Sequence, residues 1–185
     1  MASILQLRAA VCALADGGVI ACPTEAVWGL SCDPDNPEAV ARLLYLKQRP
    51  IEKGLILVAA DMDQFGPLLE GLTETQRSKL ALSWPGPSTW LIPHHDRVPP
   101  WIHGGNSRVA VRVSAHTGLV ALCRAWGGAL VSTSANPAGS RPARAQFQVQ
   151  RYFREQLDAV LPGALGGADR PTVIRDLLTD RVLRS

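Results

Sequence analysis

The stretch Ala129–Asn136, ALVSTSAN, joins a small apolar run directly to a dense polar segment. The apolar residues predict a strand over residues 129–133, and three hydroxyl side chains and one amide follow within residues 132–136. In open α/β sheets, ligands bind just outside the carboxyl ends of the strands. The stretch therefore indicates a polar ligand site at this strand end. The alternative is a Ser/Thr-rich turn, in which the hydroxyls satisfy nearby backbone groups.

Helices and strands alternate on both sides of this stretch. The pair Asn36-Pro37 predicts a helix start, and so does the capping box at Thr73–Gln76. The alternating run Arg108–Val113 predicts a strand. Interleaved helices and strands favour the α/β class. The hairpin-like spacing between residues 84–92 and 108–113 predicts a mixed parallel and antiparallel sheet.

Composition excludes several classes of protein. The 185 residues are expected to form a single domain, and a hydrophobic content of 46% excludes wholesale disorder. A formal net charge of +3 permits an anionic partner. No apolar run is long enough to cross a bilayer and residues 1–8 lack a signal-peptide pattern, so we expect a cytoplasmic protein without a membrane partner. The four cysteines include no Cys-x-x-Cys pair, which favours free thiols.

Two further segments carry polar groups beside predicted elements. Thr24 and Glu25 follow a buried strand, where they can orient a ligand, although a turn with a helix-capping Thr is equally consistent. Lys47 and Arg49 lie at a helix end, where two cations can bind phosphate. The alternative for this pair is an interaction with the helix dipole. We expect both cationic side chains to be exposed.

Two more segments remain open between a structural and a binding role. The turn Pro85–Thr89 places a glycine between prolines, so that backbone and hydroxyl groups can approach a ligand closely, unless it is simply a loop. Arg112 lies within an alternating apolar strand, so it must face solvent, an acid or a bound anion. Anion contact and a structural ion pair are equally supported.

Several catalytic signatures are missing from the sequence. His94, His95, Asp96 and His103 are metal-ligating residue types, but they lie in a proline-rich loop with no regular spacing, so we predict no metal site there. No Gly-x-Ser-x-Gly elbow and no Gly-x-x-x-x-Gly-Lys-Ser/Thr loop occurs. These absences argue against a nucleophile triad and against a P-loop ATPase.

Taken in order, five segments make the chain similar to the YrdC-like family of threonylcarbamoyl-adenylate synthases. They are Pro-Thr-Glu at 23–25, Lys-x-Arg-Pro at 47–50, Pro-Gly-Pro-x-Thr at 85–89, Val-Arg-Val at 111–113 and Ser-Thr-Ser-Ala-Asn at 132–136. A closing Val-Leu-Arg at 182–184 also fits. The length resembles the short bacterial form, a single YrdC-like domain over 1–185 without an additional C-terminal domain. The resemblance implies a twisted mixed sheet flanked by helices, with a concave, positively charged face.

The resemblance also implies a nucleotidyltransferase reaction. L-Threonine, bicarbonate and ATP would give threonylcarbamoyl-AMP and pyrophosphate, and partner enzymes would use the product to modify adenosine 37 of tRNAs reading ANN codons. Such a reaction brings anionic reactants together, so it needs cations and hydroxyl donors more than a covalent nucleophile. No tightly bound cofactor is implied, and Mg²⁺ would accompany ATP. The alternatives are a double-stranded RNA or rRNA-binding maturation factor on the same scaffold, with RNA as partner, and a nucleotide hydrolase.

By the same resemblance, the site residues fall into overlapping sets. The catalytic candidates are Lys47, Arg49 and Ser134. The implied ATP-binding residues are Lys47, Arg49, Thr89, Ser134, Asn136 and Arg184. The implied threonine-binding residues are Thr24, Arg112, Ser132 and Thr172. Among the departures from the commoner pattern, Ala26 and Ala138 stand where many relatives carry a hydroxyl.

Overall fold

The computed structural model describes residues 2–170 and 172–184, and for Arg184 only the backbone. The helices are α1 (Ile4–Ala15), α2 (Pro37–Lys47), α3 (Gly66–Leu69), α4 (Glu74–Ser83), α5 (Pro100–His103), α6 (Thr117–Trp126) and α7 (Gln146–Phe153). The strands are β1 (Ile20–Pro23), β2 (Trp28–Ser31), β3 (Ile56–Ala59), β4 (Ser88–Pro93), β5 (Arg108–Val113), β6 (Leu130–Ser134), β7 (Ala159–Val160), β8 (Val173–Asp176) and β9 (Val182–Arg184). Short 3₁₀ turns cover Ile51–Lys53, Asp63–Phe65 and Arg154–Gln156.

The strands form one mixed sheet, as the sequence predicts. Its order in the described ranges is β7-β1-β2-β6-β3-β5-β4-β8-β9. Three neighbouring pairs are parallel, namely β1 with β7, β3 with β5 and β4 with β8, and the remaining pairs are antiparallel. The antiparallel pairing of β4 with β5 confirms the predicted hairpin-like neighbours. Strand β6, which carries the polar segment, lies inside the sheet between β2 and β3.

Helix α2 begins and ends where its sequence signals predict. The Asn36 side chain accepts hydrogen bonds from the backbone N–H groups of Glu38 and Ala39, both at 3.0 Å, and Pro37 occupies the first turn. The helix ends at Gln48, which adopts a left-handed conformation with φ of 50°. This ending places Lys47 in the last helical turn, directly beside the segment that follows β6.

Helices cover both faces of the sheet, because β6 alternates its side chains. Leu130 packs in one apolar cluster with Leu14 of α1 and Leu119 of α6. Val131, the next residue, packs in the other cluster with Leu43 of α2. Successive residues of a strand point to opposite faces, so two apolar residues in a row require cover on both sides. The polar residues that follow therefore emerge at the end of a strand that is buried on both faces.

Several elements lie outside the sequence prediction. Helix α1 was not predicted, although Ser3 and Gln6 form a capping box at its start. Strands β2 and β7 were not predicted either. Helix α7 ends at Phe153. None of the helices among the described residues is long and apolar enough to cross a membrane.

Substituting Gly104 should destabilise the fold more than substituting its neighbour Gly105. Both glycines have positive φ, 61° and 80°. An alanine Cβ at Gly104 would overlap the carbonyl oxygen of Ile51, whereas one at Gly105 meets no atom within 4 Å. We expect Gly105→Ala to lower the free energy of unfolding by about 1–2 kcal/mol, the cost of the left-handed backbone alone. Gly104→Ala should lower the free energy of unfolding further, as measured by urea denaturation. Equal losses for the two variants would contradict the overlap with the Ile51 carbonyl oxygen.

Candidate active site

A cavity of about 750 Å³ opens where β3, β5 and β6 meet the β8–β9 hairpin. Six of the predicted site residues line it: Thr24, Arg49, Arg112, Ser132, Ser134 and Thr172. Its volume falls within the range of small-molecule sites, roughly 300–1,000 Å³. The described residues on its wall do not include Lys47, Thr89 or Asn136. The side chain of Arg184 lies outside the described residues, and its backbone pairs with Ile174.

The cavity wall carries more positive than negative side chains. The cationic residues on the described wall are Arg49, Lys53, Arg108, Arg112 and Arg181, and Asp176 is the acidic residue. Asp176 forms an ion pair with Arg108, and its carboxylate also accepts the backbone N–H groups of Leu178 and Thr179 at 2.9 and 3.0 Å. The carboxylate thus shapes the β8–β9 turn and neutralises one of the cations. The remaining charges make the cavity suited to an anionic ligand.

Arg49 is held at the cavity rim by backbone carbonyls. Its Nη2 donates to the carbonyl oxygen of Gly54 at 2.8 Å and to that of Lys53 at 3.3 Å. Its Nε donates to the Gly54 oxygen at 3.3 Å. These contacts fix the plane of the guanidinium without neutralising its charge. A fixed, charged fork of this kind suits phosphate oxygens.

Lys47 lies behind the cavity wall, and the expectation that it is exposed is wrong. Its side chain packs on the apolar face of α2 with Val40 and Leu43, and the residue is 4% exposed. Its Nζ donates to the carbonyl oxygens of Ser134 and Asn136, the latter at 2.9 Å. Burial, with a smaller effect of Arg49, lowers the pKa of Lys47 to about 8. Lys47 therefore holds the polar segment in place from behind.

The polar segment combines a turn with a cavity wall. Asn136 builds the turn, since its Nδ2 donates to the carbonyl oxygens of Pro137 at 3.1 Å and Ser140 at 2.8 Å. Its Oδ1 is buried and has no hydrogen-bond partner among the described residues. Ser132 and Ser134 lie on the cavity wall. The turn interpretation therefore holds for Asn136, and ligand contact by Ser132 and Ser134 stays a prediction.

Arg112 forms the ion pair that the sequence left open, and its contact with a bound anion stays a prediction. It lines the cavity, and its Nη1 lies 3.1 Å from Oε2 of Glu25. Burial alone would raise the pKa of Glu25, but Arg112, Ser114 and backbone N–H groups outweigh burial and hold that pKa below its ordinary value. Burial lowers the pKa of Arg112, which Glu25 partly opposes. The sequence analysis noted Glu25 beside Thr24 but missed its pairing with Arg112.

Thr24 and Thr172 line the cavity in different ways. The Thr24 hydroxyl donates to the carbonyl oxygen of Val27 at 2.7 Å, which closes the turn between β1 and β2. The hydroxyls of Thr172 and Thr89 lie 2.9 Å apart. Thr89 is fully buried. Thr89 lies off the described cavity wall and contacts Thr172, which lines it, so direct contact of Thr89 with a nucleotide stays a prediction.

Two histidines of the proline-rich segment stack on each other, and one of them, His103, lines the cavity. The rings of His94 and His103 stack with centroids 4.1 Å apart. Nδ1 of His94 accepts the backbone N–H of Asp96 at 3.1 Å, and its Nε2 lies 2.9 Å from the carbonyl oxygen of Asn106. Among the described residues, no group of three or more His, Cys, Asp or Glu side chains is arranged to hold a metal ion.

Lys47→Met should destabilise the protein, because two carbonyl oxygens would lose a buried cationic donor. We expect a loss of about 2–3 kcal/mol in the free energy of unfolding. Lys53→Met is the matched control, since Lys53 is exposed and should change stability by less than about 0.5 kcal/mol. Urea denaturation of the three proteins measures both values, and equal stability of the two variants would contradict the anchoring role.

The same comparison has a predicted pH dependence. The pKa of Lys47 is about 8 in the folded state, against an ordinary value of 10.5. Between pH 8 and 10.5 the Lys47 amine binds more protons in the unfolded state than in the folded state. The contribution of Lys47 to the free energy of unfolding therefore increases as pH rises through 8 and is lost as pH falls. The stability difference between wild type and Lys47→Met should therefore grow from pH 7 to about pH 10.

Comparison with known proteins identifies a family. The family model Sua5_yciO_yrdC, described as "Telomere recombination", matches residues 12–185. The threonylcarbamoyl-AMP synthase of Pseudomonas aeruginosa is 53% identical over 184 residues, covering 100% of this chain and 99% of that protein. The protein of the same name from Halorhodospira halophila is 53% identical over 179 residues, covering 97% and 94%.

Solved structures show the same fold. P. abyssi Sua5, complexed with L-threonine, aligns with a TM-score of 0.86 at 28% identity. The alignment covers 95% of this chain and 52% of that one, so this chain spans about half the length of that protein. E. coli YciO aligns with a TM-score of 0.84 at 23% identity over 97% of this chain and 88% of that one, which shows the fold alone.

Proposed function

We propose that this chain, which belongs to the Sua5/YciO/YrdC family, is a threonylcarbamoyl-AMP synthase that uses ATP, L-threonine and bicarbonate. The observation that carries the proposal is the meeting of Arg49, Arg112, Ser132 and Ser134 on one cavity of about 750 Å³. Relatives named threonylcarbamoyl-AMP synthase share 53% identity with nearly the whole chain, which supports the same activity here.

The reaction explains why the cavity offers cations and hydroxyls. The amine nitrogen of threonine attacks the carbon of bicarbonate, and loss of water gives a carbamate. A carbamate oxygen then attacks the α-phosphorus of ATP, and the bond to the β-phosphate breaks to release pyrophosphate. No covalent intermediate with the protein is required. Positioning the anions and stabilising the charge on phosphate supply the rate enhancement.

The residues divide between the two substrates. Arg112 would receive the threonine carboxylate, beside Thr24 and Ser132. Arg49 and Ser134 would contact the phosphates of ATP at the other side of the polar segment. Lys47 would contribute through the carbonyl oxygens that it holds, with its positive charge directly behind Ser134. This assignment keeps direct roles for five of the predicted residues and gives Lys47 an indirect role.

Mg²⁺ would enter with ATP. The described residues contain no group of three or more side chains of the usual metal-ligating types, so phosphate oxygens would supply most of its ligands. The ion would offset phosphate charge during the displacement. The product is a mixed anhydride, which suits immediate use by tRNA-modifying enzymes in the cytoplasm. RNA binding by this chain itself stays a prediction.

Pyrophosphate release should require both threonine and bicarbonate. The carbamate is the nucleophile in the proposal, so omitting either component removes the attacking group. A coupled pyrophosphate assay with ATP and Mg²⁺ measures the rate with each component added or withheld. Equal release without threonine would support the nucleotide hydrolase instead and would overturn the synthase.

Ser134→Ala should reduce turnover without a comparable loss of stability. Ser134 lies on the cavity wall, and removing one hydroxyl donor from a developing negative charge costs roughly 100–1,000-fold in kcat. Ser140→Ala is the matched control, because Ser140 follows the same segment but does not line the cavity. A fall in melting temperature that accounts for the lost activity of Ser134→Ala would favour a turn role for this residue.

A further inference from the structure

We infer that Glu25 is a positioning residue that orients Arg112 toward the substrate carboxylate, an inference that rests on the proposed function. Arg112 is on the cavity wall, whose described lining does not include Glu25, and Nη1 of Arg112 lies 3.1 Å from Oε2 of Glu25. The side chains of Arg112 and Glu25 are only 7% and 9% exposed. Solvent therefore cannot take over the role of either partner.

Glu25 is itself fixed from two directions. Its Oε1 accepts the hydroxyl of Ser114 at 2.7 Å and the backbone N–H of Ala115 at 3.2 Å. Its backbone carbonyl oxygen accepts the N–H of Ala168 at 2.9 Å, while Gly166 donates to the neighbouring carbonyl of Thr24 at 3.0 Å. Burial opposes ionisation of Glu25, but Arg112, followed by Ser114 and backbone N–H groups, outweighs burial and holds the pKa of Glu25 below its ordinary value. Glu25 thus acts as a stationary anion and does not carry protons.

The ion pair leaves part of the hydrogen-bonding capacity of Arg112 unused. Its Nε is buried and has no hydrogen-bond partner among the described residues, and the same holds for Oε2 of Glu25. A guanidinium binds carboxylates best through two parallel N–H groups. Glu25 therefore compensates the buried positive charge of Arg112 without engaging all of its N–H groups. A carboxylate in the cavity would meet a guanidinium whose charge is already compensated and whose position is already held by Glu25.

Charge compensation before binding has a consequence for selectivity. A lone buried guanidinium would attract any anion or turn toward water, because its desolvation is uncompensated. Paired with Glu25, Arg112 discriminates by geometry more than by net charge. This arrangement favours a small carboxylate over the more highly charged phosphates of ATP. It keeps the amino acid and nucleotide ends of one cavity distinct.

Glu25→Gln tests the inference, because glutamine keeps an oxygen for Ser114 and Ala115 and removes only the charge. We expect the KM for threonine to rise roughly 10–100-fold, as for partners that orient a binding group. The KM for ATP and the kcat at saturating threonine should change by less than about threefold. Glu25→Asp retains the charge and should recover part of the threonine KM. A merely structural role would change both KM values and the melting temperature together.

Gly166→Ala provides a second test, which can be used even if Glu25→Gln does not fold. At Gly166 an alanine Cβ would lie 3.0 Å from Cα of Glu25 and 3.4 Å from Cδ2 of His116, so Gly166→Ala should displace Glu25 while all buried charges remain. Gly128→Ala is the control, since its Cβ has no neighbour closer than 3.8 Å. Gly166→Ala should raise the threonine KM selectively, and Gly128→Ala should not.

The inference fails if Glu25→Gln or, should that variant not fold, Gly166→Ala raises the two KM values equally or leaves the threonine KM unchanged. Failure of the proposed function is recognised separately. In that case the wild-type protein would already show no threonine-dependent release of pyrophosphate.

Discussion

The buried ammonium of Lys47 joins the last turn of α2 to the end of β6. Two backbone carbonyl oxygens, those of Ser134 and Asn136, accept from it, and the N–H of Ala138 returns a bond to the Lys47 carbonyl at 2.8 Å. The polar segment follows a strand that is buried on both faces. The contacts with Lys47 join this segment to α2, while pairing of Ser134 with Gly29 and of Ser132 with Ile56 places the two serines within the sheet.

A second buried cation organises the opposite wall. Arg112 on β5 is balanced by Glu25 after β1, and Ser114 and the backbone of Ala115 hold that carboxylate. The two cations differ in what they face. Lys47 faces protein carbonyls, whereas Arg112 faces both a carboxylate and the cavity. Lys47 thus shapes the site, and Arg112 is available to a ligand. A count of positive residues alone would not show this difference.

Local signals in the sequence predicted much of this architecture. The Asn36 cap and the Thr73 capping box mark helix starts because they depend on neighbouring residues only. The polar segment after β6 and the cations near it were predicted as site residues because their chemistry suits an anionic ligand. The depth of Thr89 and Lys47 was not predicted, since the hydrogen-bond partner of each lies more than eighty positions away along the chain. For Lys47 the helical spacing with Leu43 already pointed toward the core.

The central claim is that one cavity receives threonine at Arg112 and the nucleotide beside Ser134. The most direct measurement is a crystal structure of the protein with L-threonine and a non-hydrolysable ATP analogue. We predict the threonine carboxylate on the guanidinium of Arg112, with Glu25 still paired to it, and the α-phosphate within hydrogen-bond distance of Ser134. Threonine bound elsewhere, or an α-phosphate on Arg112, would contradict this account.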